Sequence, residues 1–218
     1  MTCAGNPNLW ADMFPTEHLP AVFQMILAEW PNFTRPAATK KLENRISNRF
    51  VGHLKQTARK ARSPFNFKFR SKIPDPDADS ESGELDIEVF TGLDTDVYFA
   101  FECKRLFNKP GTSEAGKYIG SGGMGCYLTE QYGGNAGCGG MIGYVMTGTS
   151  SAAEHAVKLA IESKAADLRL VHPKSLHPAD IIPGENRISQ TLHAMKDETE
   201  IFKIYHLFLL YVVPNIRS

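Results

Sequence analysis

Residues 98–106 read YFAFECKRL. Tyr98, Phe99, Ala100 and Phe101 mark a strand crossing a protein interior, yet Glu102 and Lys104 interrupt it two residues apart. Side chains alternate along a strand, so both charges project on the same side of the sheet. Buried ions are costly unless paired or bound. The preceding stretch, GELDIEVF (83–90), alternates Leu85, Ile87 and Val89 with Glu84, Asp86 and Glu88, and GLDTD (92–96) supplies a turn. Closing Thr91 against Val97 sets Asp86 opposite Glu102 and Glu84 opposite Lys104. Opposed residues on one face have Cβ atoms about 4.5–5.5 Å apart, so Asp86, Glu102 and Lys104 are expected to converge. The same register puts Leu85, Ile87 and Val89 on one face with Phe99, Phe101 and Cys103. A slip of one residue would separate the charges.

Working outward, PFNFKFRSK (64–72) alternates Phe65, Phe67 and Phe69 with Asn66, Lys68 and Arg70, a half-buried strand. Upstream, a helix is expected from about Ala38 to Ala61, with Leu42, Ile46, Phe50 and Leu54 as its apolar stripe, and a shorter one capped by Thr16 and ended by Pro31. Downstream, residues 108–134 are too glycine-rich at first for a clean helix and become helical near Met124 to Tyr132. GGMIGYVMTG (139–148) is an apolar strand. SAAEHAVKLAIESKAADLRL (151–170) is an amphipathic helix capped by Ser150 or Ser151, HPKSLHPADIIPGENR (172–187) a loop, and FKIYHLFLLYVV (202–213) contains the last strand. The order predicts an α/β fold, a mixed sheet flanked by helices. The 218 residues suit one domain: an N-terminal helical lead-in (1–37), a core (38–147), and a C-terminal helix and strand (148–218).

Cys3, Cys103, Cys126 and Cys138 include no CxxC pair, and the N-terminus lacks a signal-peptide pattern. Reduced thiols in a cytoplasmic protein are expected. IFKIYHLFLLYVV (201–213) spans 13 residues and contains Lys203 and His206, too short and polar for a membrane helix. Formal net charge is zero but segregated. Arg35 to Lys72 holds 12 Lys/Arg and the lone acid Glu43, whereas Ile73 to Glu102 holds 10 acids and no Lys or Arg. A polyanion-binding surface beside a cation site would produce this division, as would two solvated faces that neutralise each other.

Two carboxylates as close as Asp86 and Glu102 repel unless a proton or cation lies between them. Oxygen donors suit Mg²⁺ or Mn²⁺, and a neighbouring lysine can orient a water or steady charge on a phosphate. Asp86, followed on the next strand by Glu102-Cys103-Lys104, resembles the PD-(D/E)XK nuclease superfamily, whose restriction-endonuclease-like core runs α-β-β-β-α-β. The resemblance covers roughly residues 38–147 and departs where Leu85 replaces the proline of the first half-motif. It implies that Asp86, Glu102 and the carbonyl of Cys103 bind Mg²⁺, with Mn²⁺ able to substitute, that Lys104 positions or activates the attacking water, and that Glu43 adds a glutamate from the preceding helix. Gln131, with Tyr118 and Lys117, is expected in support.

The implied activity is hydrolysis of DNA, duplex rather than single-stranded, with Lys41, Arg45, Arg49, Lys55, Arg59 and Lys60 gripping phosphates. A restriction enzyme, a phage-defence effector and a repair nuclease all fit, as do a homodimer or a partner subunit of a defence complex. The alternatives are an RNA nuclease, an inactive nuclease-like nucleic-acid-binding or assembly subunit, and a purely structural Glu102–Lys104 ion pair. GSGGMG (120–125) satisfies GxGxxG but follows no clear strand of a βαβ unit, so it is read as a close-approach turn rather than a nucleotide loop. DPDADSESGELD (75–86) fails as a calcium loop at Ser80 and Asp86. The histidines form no metal pattern, and His206 is expected to be half-buried.

Overall fold

The computed structural model describes residues 14–36, 42–74, 81–92, 97–107, 114–129, 137–195 and 200–211. A 3₁₀ turn, Thr16–His18, leads into α1 (Leu19–Glu29) and then α2 (Leu42–Ala61). Strands β1 (Phe65–Pro74), β2 (Glu81–Thr91) and β3 (Tyr98–Phe107) follow, then short helices α3 (Glu114–Ile119) and α4 (Gly125–Leu128). The chain continues through β4 (Cys138–Thr147), α5 (Ser150–Ser163), β5 (His177–Pro178), β6 (Ile188–Ala194) and β7 (Ile201–Leu210). All seven strands form one sheet in the order β1-β2-β3-β4-β7-β6-β5. It is mixed: β3, β4 and β7 run parallel, and the other neighbours pair antiparallel.

Burial explains the layering. On one side, Ile46, Phe50 and Leu54 of α2 and Val22, Phe23 and Ile26 of α1 pack with Phe67, Phe99, Phe101 and Tyr205 of the sheet. On the other, Val157 and Ile161 of α5 pack with Tyr118, Tyr127, Met141 and Ile204. α3 has little intrinsic helix strength; burial of Tyr118 and Ile119 holds it. Gly139 admits the ring of Tyr127, because a Cβ there would lie 2.3 Å from it. The Tyr127 hydroxyl then sits 3.0 Å from the Ala100 carbonyl and 2.7 Å from that of Gly140, spanning β3 and β4.

Several expectations are corrected. Thr16 begins the 3₁₀ turn and does not cap α1. A clean helix, α3, forms where glycines argued against one. The side chain that caps α5 is Thr149, accepting the Ala152 N–H at 3.2 Å, rather than Ser150 or Ser151. The C-terminal part is larger than a helix and strand, since β5 and β6 extend the sheet beyond β7. Leu85 packs with Ala100 and Leu106 on the opposite face from Ile87 and Val89. The β1–β2 ladder skips the position between Phe69↔Ile87 and Ser71↔Leu85, where Arg70 of β1 adopts a left-handed φ of 53°. The chain's turn residues 93–96, the acidic residues 75–80, Cys3, Lys41 and Gln131 lie outside the described residues. Cys103, Cys126 and Cys138 are buried, and none of the three is in a disulfide. Among the described residues no helix is long and apolar enough to cross a membrane.

Candidate active site

The β2–β3 ladder has the expected register, Phe90↔Tyr98 through Ile87↔Phe101, and then stops. Beyond it β2 peels away while β3 continues, paired with β4 on its other edge. The backbone N–H groups of β3 facing the gap need acceptors. Two carboxylates supply them: Asp86 Oδ2 accepts the Cys103 N–H at 2.9 Å, and Glu43 Oε2 accepts the Arg105 N–H at 2.8 Å. Side chains thus replace the missing strand, and β3 carries Glu102 and Lys104 between them.

Glu43 comes from the first turn of α2, on the face that packs against the sheet, as its place beside Ile46 implied. One turn later Ser47, fully buried, donates to the Glu43 carbonyl at 3.2 Å and stands 3.0 Å from the Tyr144 hydroxyl, which reaches Cys103 Sγ at 3.4 Å. This network ties the helix turn bearing Glu43 to the strand bearing Glu102. Burial raises the Cys103 thiol well above its ordinary range, which excludes it as a nucleophile.

Asp86 and Glu102 are both buried, 7% and 5% exposed. Lys104 Nζ contacts Glu102 Oε1, the Cys103 carbonyl at 3.1 Å and Glu43 Oε1 at 3.9 Å. One ammonium therefore serves several carboxylates. Glu102 Oε2 is buried with no hydrogen-bond partner. Burial first, and the Asp86 charge second, push the Glu102 carboxyl up to about 8 despite Lys104. Asp86 is likewise raised by burial, opposed by Lys104 and the Cys103 N–H. Burial works against the charge on Lys104, but Glu102, Glu43 and Asp86 outweigh it and hold the ammonium above its ordinary value. The group is deficient in positive charge. Among the described residues no group of three or more His, Cys, Asp or Glu side chains is placed to hold a metal ion; the lysine ammonium lies among the carboxylates.

Beside this group opens a cleft of about 450 Å³ lined by Glu43, Lys104, Arg105, Glu114, Lys117 and the Gly120–Gly122 turn. The GSGGMG stretch builds its rim: Gly120 O accepts the N–H groups of Gly123 and Gly125, and a Cβ at Gly123 would lie 2.1 Å from the Tyr118 carbonyl. Lys117 reaches the cleft, paired with Glu114 at 3.2 Å. Tyr118 does not, which corrects its expected supporting role. It is buried, and its hydroxyl lies 3.1 Å from His206 Nδ1. His206 is fully buried rather than half-buried. His193 Nδ1 lies 2.7 Å from the Leu168 carbonyl and must donate to it, which orders the rest. Thr191 donates to His193 Nε2 at 2.7 Å, His206 Nε2 donates to Thr191 at 2.9 Å, and Tyr118 donates to His206. Burial keeps both imidazoles neutral, His193 lowered to about 4 and His206 well below its ordinary value.

Glu84 is exposed and pairs with Arg70 at 2.9 Å instead of opposing Lys104. Glu88 is buried near Lys68, at 3.7 Å. On α2, Arg45, Arg49, Lys55, Arg59 and Lys60 are exposed. They extend about 25 Å along the helix from Glu43 at 1.5 Å per residue. Lys55 and Arg59 also line a groove of about 440 Å³ against β1. Arg105 and Glu114 are cleft residues that sequence reading missed. Alternation assigns Arg105 the side opposite Lys104, yet both border the cleft because no β2 strand covers that edge. Its position directly after Lys104 was the available signal. The chain matches no protein-family model, no curated protein and no solved structure.

Proposed function

We propose that this protein is a Mg²⁺-dependent nuclease that hydrolyses DNA phosphodiester bonds, built on a restriction-endonuclease-like core formed by α2, β1, β2, β3, α3 and β4. The observation that carries the reading is the orphaned, buried Glu102 Oε2 beside Asp86, in a gap where carboxylates replace the β2–β3 ladder. The donors of Asp86, Glu102 and the Cys103 carbonyl are all hard oxygens, which fits Mg²⁺ or Mn²⁺. When bound, the ion supplies Lewis-acid stabilisation of phosphate charge and a more acidic water.

The residues divide the remaining work. Asp86 is held in place by the Cys103 N–H, and Glu43 by the Arg105 N–H. Lys104, kept protonated by its neighbours, donates: it orients the attacking water and offsets charge on the phosphate without abstracting a proton. The exposed basic face of α2 holds backbone phosphates without reading bases.

The test is cleavage of supercoiled plasmid in Mg²⁺ or Mn²⁺, with EDTA and Lys104→Ala controls. Cutting that both controls abolish is expected. No cutting, together with no Mn²⁺ binding that depends on Asp86, would leave a structural ion pair and refute the reading.

A further inference from the structure

Among the groups lining the cleft, Arg105 carries a buried guanidinium nitrogen that makes no hydrogen bond. Its backbone N–H donates to Glu43, and its guanidinium faces the same carboxylate as an ion pair, Nε to Oε2 3.9 Å, too far for a hydrogen bond; Nε is buried without a hydrogen-bond partner. The guanidinium carbon stands 5.7 Å from the Phe107 ring centroid, within cation–π range. Arg105 borders the cleft, and the terminal nitrogens of a guanidinium match two oxygens of one phosphate. Lys117 provides a further cation in the cleft, its ammonium largely exposed. The Gly120–Gly122 rim between them carries a single side chain beyond hydrogen, that of Ser121, and Gly122 has open space around it. A sugar–phosphate backbone can approach such a rim closely.

We infer that Arg105, with Lys117, forms a phosphate subsite that seats the DNA strand next to Lys104. The inference rests on the nuclease reading for its substrate, but the contact it assigns is separately measurable. Arg105 binds two non-bridging oxygens of one phosphodiester, Lys117 takes the charge of an adjacent one, and the strand lies along the glycine rim. Glu43 holds the Arg105 backbone and ion-pairs with its Nε side, which leaves the terminal nitrogens to the phosphate.

The experiment measures anisotropy of a fluorescein-labelled DNA oligonucleotide in EDTA across a salt series, for wild type, Arg105→Ala, Arg105→Lys and Lys117→Ala. Mn²⁺ binding and cleavage kinetics are followed in parallel. Arg105→Ala is expected to weaken binding about tenfold and to reduce the salt slope by about one. Arg105→Lys should recover charge but only part of the affinity, because it lacks the fork. Mn²⁺ binding should be unchanged in both. Unaltered DNA affinity and salt slope in Arg105→Ala would overturn the subsite even if wild type cuts DNA. Weakened binding in a protein that never cuts DNA would support the subsite and count against the nuclease reading. Full recovery by Arg105→Lys would overturn the bidentate contact.

Discussion

Glu102→Gln should stabilise the metal-free protein, and increasingly so as pH rises. In the folded state burial and Asp86 hold the Glu102 proton to about 8, against an ordinary value of 4.5. The folded protein thus keeps a proton that the unfolded chain has lost. This contribution favours folding most below pH 4.5 and is lost as pH rises through 8. Each pH unit of difference is worth about 1.4 kcal/mol. Between pH 5.5 and 8.5 the carboxyl therefore costs the folded state a further ~3 kcal/mol, which the glutamine removes. The assay is urea unfolding in EDTA at several pH values, reading the difference between variant and wild type so that other titrating groups cancel. That difference should widen by about 3 kcal/mol over the interval. Saturating Mg²⁺ should raise wild-type stability, and leave the variant nearly unaffected. Parallel stability curves, differing by a constant from pH 5.5 to 8.5, would refute the claim that Glu102 is held in an unrelieved, electron-rich site.

Lys104→Ala should lower DNA cleavage by at least about a hundredfold, as loss of a group that stabilises developing charge does, while Mn²⁺ binding measured by calorimetry survives because the carboxylates remain; loss of Mn²⁺ binding would contradict its assignment as a non-ligand. Thr191→Val leaves a buried acceptor and a buried donor unpaired between His193 and His206, and should cost about 3 kcal/mol in urea unfolding at 1–3 kcal/mol per group; a cost under about 1 kcal/mol would refute the ordered network. His193, lowered to about 4, adds stability above its unfolded value near 6.5 that is lost as pH falls toward 4, so wild-type unfolding should show an acid limb opposite in sign to the Glu102 limb. Replacing Arg45 and Arg49 together by alanine should weaken DNA binding about equally for unrelated sequences and reduce the salt slope by up to about two, read by anisotropy; a sequence-dependent loss would mean that α2 reads bases.

The hairpin register was legible because its turn and its alternation agree: Ile87, Val89, Phe99 and Phe101 allow only one pairing that buries them together. Glu43 was legible because it is the single acid in a basic block and lies on the buried side of an amphipathic helix. Leu85 misled, since alternation presumes an unbroken ladder and the β1–β2 ladder is interrupted beside it, at Arg70. β6 was invisible for a different reason. Ser189, Gln190, Thr191 and His193 are buried along it beside Ile188. A strand whose buried residues are mostly polar shows no apolar alternation. Arg105 escaped because strand parity assigns its side chain to a face, while departure of a neighbouring strand, a tertiary event, decides which side chains meet.

The gap between β2 and β3 also makes the molecule legible to spectroscopy. Each of two backbone amides on β3 donates to a different acid, that of Cys103 to Asp86 and that of Arg105 to Glu43. An amide proton shared with a carboxylate shifts when that carboxylate gains a proton or is drawn to a cation. These two resonances therefore form a pair of native reporters, one per acid, requiring neither label on a side chain nor substitution. Followed through a titration with Mg²⁺ or with DNA, they would record in what order the acids respond, and whether the helix-borne Glu43 answers together with the strand-borne Asp86 or after it.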